Sequence, residues 1–464
     1  MKKIILTLLL AAPVVSVFAQ KAGGISPEML QSIKQAQTNT VADRALRNAL
    51  AGSSINQLAT AAENPALGDT YFSHKVESKG ITDQQQSGRC WLFTGMNVMR
   101  AKMIAQYGLG EFQFSQAYSF FYDQLEKANL FLQAVVDHAD KPMDDKVVEW
   151  LFQHPLSDGG TFCGVQDVVM KYGIVPAEVM PERFNANNTS RMASILSLKL
   201  REYGLTLRKA VAEGEKKAAI EQRKTEMLAT VYRILSLCLG EPPTEFTWTR
   251  KDAAGKPVET KTYTPLSFYK EYVGVDLKKE YVMLMNDPSR PYYKTYTIDL
   301  DRHSYDGEQW TYLNLPMEEI KAMAIASIKD STMMYYSCDV GKCYNSKTGV
   351  LSLDNYDYAS LFSTDFPMNK ADRIRTFASA SSHAMTLMAV DLDENGKPRK
   401  WMVENSWGAA SGYRGHLIMT DSWFDEYTFR LVVDKKYVPE ATLKLLKQKP
   451  ILLPAWDPLF APEQ

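Results

Sequence analysis

Between Gln84 and Gly108 the chain passes from a polar stretch, Gln84-Gln85-Gln86-Ser87-Gly88-Arg89, into an apolar run. There Leu92, Met96, Met99 and Met103 recur at helical spacing. That periodicity predicts a buried helix headed by Cys90 and stopped at Gly108. Residues 115–175 read as helix-rich, and residues 26–62 carry shorter helical patterns. Residues 191–239 form a long, highly charged amphipathic stretch that Gly204, Gly214 and Gly240 are expected to break. From about residue 265 strands become commoner. Residues 384–390 read as a buried strand, Asp393-Glu394-Asn395-Gly396 as a tight turn, and Trp401-Met402-Val403-Glu404 as the returning strand. Residues 415–420 and 429–433 are further strand candidates. Helices followed by strands predict an α+β fold.

Composition narrows the class. The chain has 464 residues, 45% hydrophobic and 23% charged, near globular averages and far from disordered, collagen-like or disulfide-framework sequences. That length is about three times a usual domain of roughly 150 residues, enough for an enzyme with a large core. Fifty-three basic side chains face 54 acidic ones, so no global field favours nucleic acid or an anionic membrane. Lys2 and Lys3 precede an uncharged apolar run over residues 4–18, and Val17-Phe18-Ala19 offers small residues where a signal peptidase cuts. Residues 1–19 are therefore expected to be a signal peptide, and the mature protein to be periplasmic or extracellular. The apolar run is too short for a comfortable membrane span.

Export makes the cysteines informative, because an oxidising compartment pairs thiols and five is an odd number. Cys163, Cys238, Cys338 and Cys343 read as buried thiols, or as one disulfide between the nearest pair, Cys338 and Cys343. No CxxC spacing or His cluster suggests a metal. Cys90 differs, since unpaired N–H groups and the positive end of the dipole at a helix N-terminus stabilise a thiolate. A core cysteine at a helix start is the ordinary alternative; the downstream pattern favours the nucleophile. Of six histidines, His74, His138, His154, His303 and His416 lack a neighbourhood suggesting chemistry. His383 and Asn405, each eleven residues from Glu394, fall opposite each other in a hairpin centred there. The Asn405 amide oxygen would orient one imidazole nitrogen of His383 and leave the other for Cys90. Trp407 could shield that bond, and Gln84 could place an amide N–H beside the Cys90 backbone N–H as an oxyanion hole.

The Gln-x5-Cys-Trp stretch ending in Trp91, the Ser-His-Ala-Met block and Glu404-Asn405-Ser406-Trp407-Gly408 resemble the papain superfamily, specifically its bleomycin hydrolase and aminopeptidase C branch. His383 lies 293 residues past Cys90, against about 130 to 150 in compact papain-like enzymes, so roughly 150 residues are inserted. Asp158-Gly159-Gly160, residues 242–248, residues 338–342 and the ending 453–458 extend the resemblance over almost all of residues 70–464. Asp83 departs from it, where the family has Asn.

The resemblance implies a papain-like two-lobe fold with these parts: an N-terminal helical arm over 20–75, a helical lobe with the nucleophile over 76–190, a helical insertion over 191–262, a β-rich lobe with His and Asn over 263–450, and a tail over 451–464. It further implies peptide substrates, no cofactor, and a homohexameric ring whose subunit contacts involve the insertion. Gly159 and Gly160 would pair with substrate backbone. The tail ending at Gln464 would enter the cleft and restrict the enzyme to free N-termini, although Phe460, Pro462 and Glu463 depart from the usual small, apolar ending. An open-cleft endopeptidase and a ring-shaped nucleic-acid or peptide binder are the alternatives. The mature charge of −3, from loss of two lysines and no acids, speaks against nucleic acid.

Overall fold

The computed structural model describes residues 23–459 except 38, 65, 67, 308 and 310. The expected signal peptide over 1–19 and the last five residues, including Gln464, lie outside the described residues. The chain divides into two units, residues 1–60 and 61–464. In the first, helices Pro27–Gln35, Val41–Gly52 and Ile55–Ala59 each start at a hydroxyl cap, from Ser26, Thr40 and Ser54. Thr40 and Asp43 close a reciprocal capping box.

In the second unit the predicted helix runs Cys90–Tyr107 and ends at Gly108 with φ +60, a left-handed cap suited to glycine. Leu92, Met96, Met99 and Met103 are all buried. The helix is buried on nearly every side, because helices from one lobe and strands from the other pack against it. It crosses Phe162–Tyr172 at Gly95, where an added Cβ would fall 2.6 Å from Val165. Helices Ser190–Ala212 and Lys217–Leu239, within the segment expected to be an insertion, lie along Gln116–Asp137, burying Leu196, Leu200, Leu207, Val231 and Leu235. Gly214, φ +75, lies between them as expected. Gly204 breaks nothing: it sits mid-helix where Phe152 and Phe131 fill the space a side chain would need. Packing here outweighs the helix penalty of about 1 kcal/mol for glycine. A hairpin of Phe246–Lys251 and Pro257–Tyr263 follows.

The remaining strands form one 12-stranded sheet. At its centre His383–Leu392 pairs antiparallel with Met334–Cys338 on one side and Pro398–Glu404 on the other. His74–Lys75 extends the first side, pairing with Val390 and Ala389. Thr428–Asp434 follows Met334–Cys338, and His416–Thr420 follows Pro398–Glu404. Continuous burial along His383–Leu392 reflects cover on both faces. Ile451–Leu453 pairs parallel with Lys294–Ile298 at the opposite end of the sheet. Among the described residues no helix is long and apolar enough to cross a membrane.

Candidate active site

Three segments carry the expected site residues. The first is the loop 83–89. Its backbone is tied to the segment after Asn405, since Gln84 N–H donates to the Ser406 carbonyl at 2.8 Å and Gly408 N–H to Thr82 at 3.1 Å. Gly88 N–H donates to Asp158 Oδ2 at 2.7 Å, an approach so close that a Cβ on Gly88 would sit 2.4 Å from Asp158 Oδ1. The second is the helix itself, with Cys90 as its first residue, 3% exposed. The third is the hairpin.

In that hairpin Asp393 and Gly396 form the expected turn, with Gly396 at φ +76. The observed register pairs Thr386 with Glu404 and Leu387 with Val403, and a bulge lies between Leu387 and Ala389. Continued past Glu404, this register sets Trp407 opposite His383 and Asn405 diagonal to it, not directly opposite. Both remain on the His383 face, because side chains alternate with period two. The consequence is the arrangement the sequence suggested: His383 Nε2 lies 2.8 Å from Asn405 Oδ1, and the Trp407 ring stacks on the imidazole with centroids 4.7 Å apart. Asn405 Oδ1 also accepts from Ser406 N–H at 2.8 Å, which fixes the amide and makes His383 Nε2 the donor. Nδ1 is then the basic nitrogen. Burial pulls the His383 pKa down to about 4, partly offset by the Asn405 bond, so without an anionic partner the ring is neutral.

Gln84 is 7% exposed and held at both ends of its amide. Oε1 accepts from Ser406 Oγ at 2.7 Å, and Nε2 donates one hydrogen to the Ser87 carbonyl at 2.6 Å. One N–H remains. Trp91 is fully buried and donates Nε1–H to the Asp158 carbonyl at 2.9 Å. Asp158 thus clamps the nucleophile loop through both its side chain and its backbone.

Gly159 and Gly160 line a cavity of ≈ 420 Å³ together with Asp301, His303, Ser381 and Ala455. Gly160 has a packing reason of its own: a Cβ would meet the His303 ring at 2.3 Å and Trp91 at 2.7 Å. His303 therefore corrects the sequence reading, which saw no arrangement around it. Its Nδ1 pairs with buried Asp123 at 2.5 Å, its ring lies 4.7 Å from Trp91, and Lys127 closes the cluster at 2.9 Å from Asp123. Against the cost of burial, the Lys127 ammonium and the hydrogen bond with His303 hold the Asp123 carboxyl below its ordinary range.

The Cys338-Asp339 block also acquires a role. Cys338 is the register partner of His383, and Asp339 accepts hydrogen bonds from Ser379 at 2.7 Å and Ser382 at 3.4 Å, fixing the approach to His383. Cys338 and Cys343 are separate thiols, so the possible disulfide is not made: Cys338 ends a buried strand and Cys343 lies beyond it at φ +50. Among the described residues no group of acidic, His and Cys side chains could hold a metal ion.

Residues 24–460 match the model of the peptidase C1-like family. The chain belongs to that family. Bleomycin hydrolase of Mus musculus is 42% identical over 401 residues, covering 84% of this chain and 88% of that protein. Aminopeptidase W of Lactobacillus delbrueckii subsp. lactis is 37% identical over 443 residues, covering 94% and 99%. The crystal structure of pepw from Lactobacillus rhamnosis HN001 superposes with a TM-score of 0.91 at 37% identity, over 95% of this chain and 99% of that one. The α+β papain-like fold and the cysteine-peptidase class read from the sequence both stand.

The pair of contacts around His383 gives an ordered prediction. With His383 as the proton carrier and Asn405 as its orienting group, His383→Ala should lower kcat at least about a thousandfold. Asn405→Ala leaves the imidazole and should cost roughly ten- to a hundredfold. Steady-state turnover of an aminoacyl coumarylamide checks this, and equal losses would contradict the separate roles.

Proposed function

We propose that the chain is an exported thiol aminopeptidase that removes N-terminal residues from peptides by a Cys-His-Asn mechanism. The observation that carries this reading is the His383–Asn405 bond, roofed by Trp407, on a strand packed against the helix that Cys90 heads. Cys90 as thiolate attacks the scissile carbonyl, forming a C–S bond and an oxyanion that the Cys90 N–H and the remaining Gln84 N–H receive. His383 as imidazolium gives its Nδ1 proton to the leaving amine as the C–N bond breaks. The thioester remains. Water, deprotonated by the same nitrogen, then attacks it, breaking the C–S bond, releasing the carboxylic acid and restoring the thiolate-imidazolium pair. Gly160 offers backbone groups to the substrate strand, while those of Gly159 are engaged by Ser157 and Lys127.

Restriction to free N-termini is supported by the anchoring of the tail. Asp457 pairs with Arg290 at 2.9 Å, Lys146 lies 4.3 Å over the Trp456 ring, and Leu459, 1% exposed, gives its carbonyl to Arg430 at 3.3 Å. Ala455 lines the cavity beside Gly159 and Gly160. Two relatives bearing aminopeptidase names agree with this. Self-association into a ring, hexameric by resemblance, is supported by Leu198, Leu205 and Leu237, exposed on the insertion. The basic, apolar start of the sequence supports export.

The test is turnover of free-amine and N-blocked peptides by full-length protein and by a form lacking residues 460–464. Truncation should lower the ratio of free-amine to N-blocked turnover by roughly tenfold or more, and internal bonds should become cleavable. An unchanged ratio would remove the tail as the specificity element and favour the open-cleft endopeptidase.

A further inference from the structure

The loop leading into Cys90 is held by a buried cation that the mechanism leaves unused. Arg89 is fully buried, with its guanidinium over the rings of Phe93 and Phe120 at 5.2 and 5.3 Å. Nη1 donates to Glu182 Oε1 at 3.1 Å, and Nη2 lies 2.9 Å from Oε2, off the hydrogen-bond direction. Nε points the other way and donates to Ser87 Oγ at 3.0 Å. The Ser87 hydroxyl in turn donates to the Gln84 carbonyl at 2.6 Å, while the Ser87 carbonyl accepts the Gln84 side-chain N–H. A continuous chain of contacts therefore runs from Glu182 through Arg89 and Ser87 to both the backbone and the amide of Gln84.

Two features make this chain more than a local tie. An Arg-Glu pair whose cation is fully buried and whose carboxylate is 26% exposed gives little net stability, because the cost of desolvating the guanidinium offsets the attraction. Its geometry is what it contributes. The guanidinium is a rigid fork that can engage Glu182 and Ser87 at once, which a lysine's single ammonium at the end of a flexible stem cannot do. An oxyanion donor is useful only if it is fixed before the charge develops, since reorientation during reaction costs what the bond returns. Gln84 needs both ends of its amide held to keep its second N–H aimed: Ser406 supplies one hold and Ser87 the other.

We propose that Arg89 is a positioning residue for oxyanion stabilisation, which, by bridging Glu182 and Ser87, fixes the turn 84–87 and the direction of the free Gln84 N–H. The inference rests on the role given to Gln84 under the proposed function. It assigns to the residue before the nucleophile a duty that acts on kcat without acting on the thiolate.

The experiment uses full-length protein with Ser87→Ala, Arg89→Lys and Gln84→Ala, singly and in pairs. Ser87→Ala keeps the buried Arg89–Glu182 pair and so guards against a variant that fails to fold. Two rates are compared: hydrolysis of an aminoacyl coumarylamide, which develops an oxyanion, and alkylation of Cys90 by iodoacetamide, which does not. Ser87→Ala and Arg89→Lys should each lower kcat about ten- to a hundredfold, with KM and the alkylation rate within about twofold of wild type. In the Gln84→Ala background neither should add more than about twofold, because both act through the same amide. A parallel fall in alkylation, an unchanged kcat in Ser87→Ala, or losses that multiply fully with Gln84→Ala would overturn the proposal. Wild-type protein that neither hydrolyses the substrate nor reacts at Cys90 would instead fail the reading of the site, and this inference with it, before any variant is compared.

Discussion

Replacing Cys90 by serine is expected to lower peptidase turnover by about 10⁴-fold or more while the protein stays folded. The exchange of sulfur for oxygen is nearly isosteric at the head of a buried helix, so packing changes little. The chemistry changes completely. Burial alone pulls His383 down to about 4, so the imidazole is too weak a base to take a proton from a serine hydroxyl. It can become imidazolium only beside an anion that forms readily, and a thiolate at a helix N-terminus is such an anion. The same reasoning predicts a labelling pattern. Burial pushes the thiols of Cys163, Cys238, Cys338 and Cys343 above the ordinary range. One equivalent of iodoacetamide should therefore react rapidly at neutral pH, and Cys90→Ser should abolish that fast phase. Near-normal turnover by the serine variant, or fast labelling that survives it, would refute the nucleophile.

The second large effect concerns stability. Arg100, ten residues after Cys90 on the same helix, pairs with Glu404, the residue before Asn405, with both side chains almost fully buried. Arg100 also donates to the carbonyls of Gly80 at 2.9 Å and Phe112 at 3.3 Å, and Glu404 takes the Ser78 hydroxyl on its other oxygen. One ion pair thus joins the Cys90 helix to the strand that ends just before Asn405. Arg100→Met leaves the Glu404 carboxylate buried without its cation and should cost about 3–5 kcal/mol, read from urea unfolding. Adding Glu404→Gln removes the stranded charge and should restore part of the loss. A single-variant cost below about 1 kcal/mol would mean that water or a rearranged neighbour compensates the carboxylate.

Much of the site was legible because it is local or periodic. The Cys90 helix follows from apolar positions three and four apart, and it ends where glycine accepts a left-handed conformation. The His383–Asn405 relation follows from turn chemistry between two strands, since a hairpin brings residues at similar distances from its turn onto opposite or diagonal positions. The insertion helices were visible in their amphipathic spacing, but Gly204 was misread because a glycine penalty is local and the Phe131 and Phe152 rings that use its missing Cβ come from elsewhere in the chain.

What the sequence by itself determined, then, is which residues could do the chemistry and which elements carry them. Tertiary structure decided how those residues are held. The paired register centres the hairpin on Asn395 and not on Glu394, which turned a direct His383–Asn405 opposition into a diagonal one and put Trp407 over the ring, a shift no periodicity announces. His303 meets Asp123 across 180 residues, Arg89 meets Glu182 across 93, and Arg100 meets Glu404 across 304. Each of these pairs is an ion or hydrogen-bond partnership in a buried place, where an unmatched group would cost several kcal/mol. A helical or strand repeat records which face of an element is buried. It does not record which distant polar group shares that burial, because the partner is chosen by packing between elements.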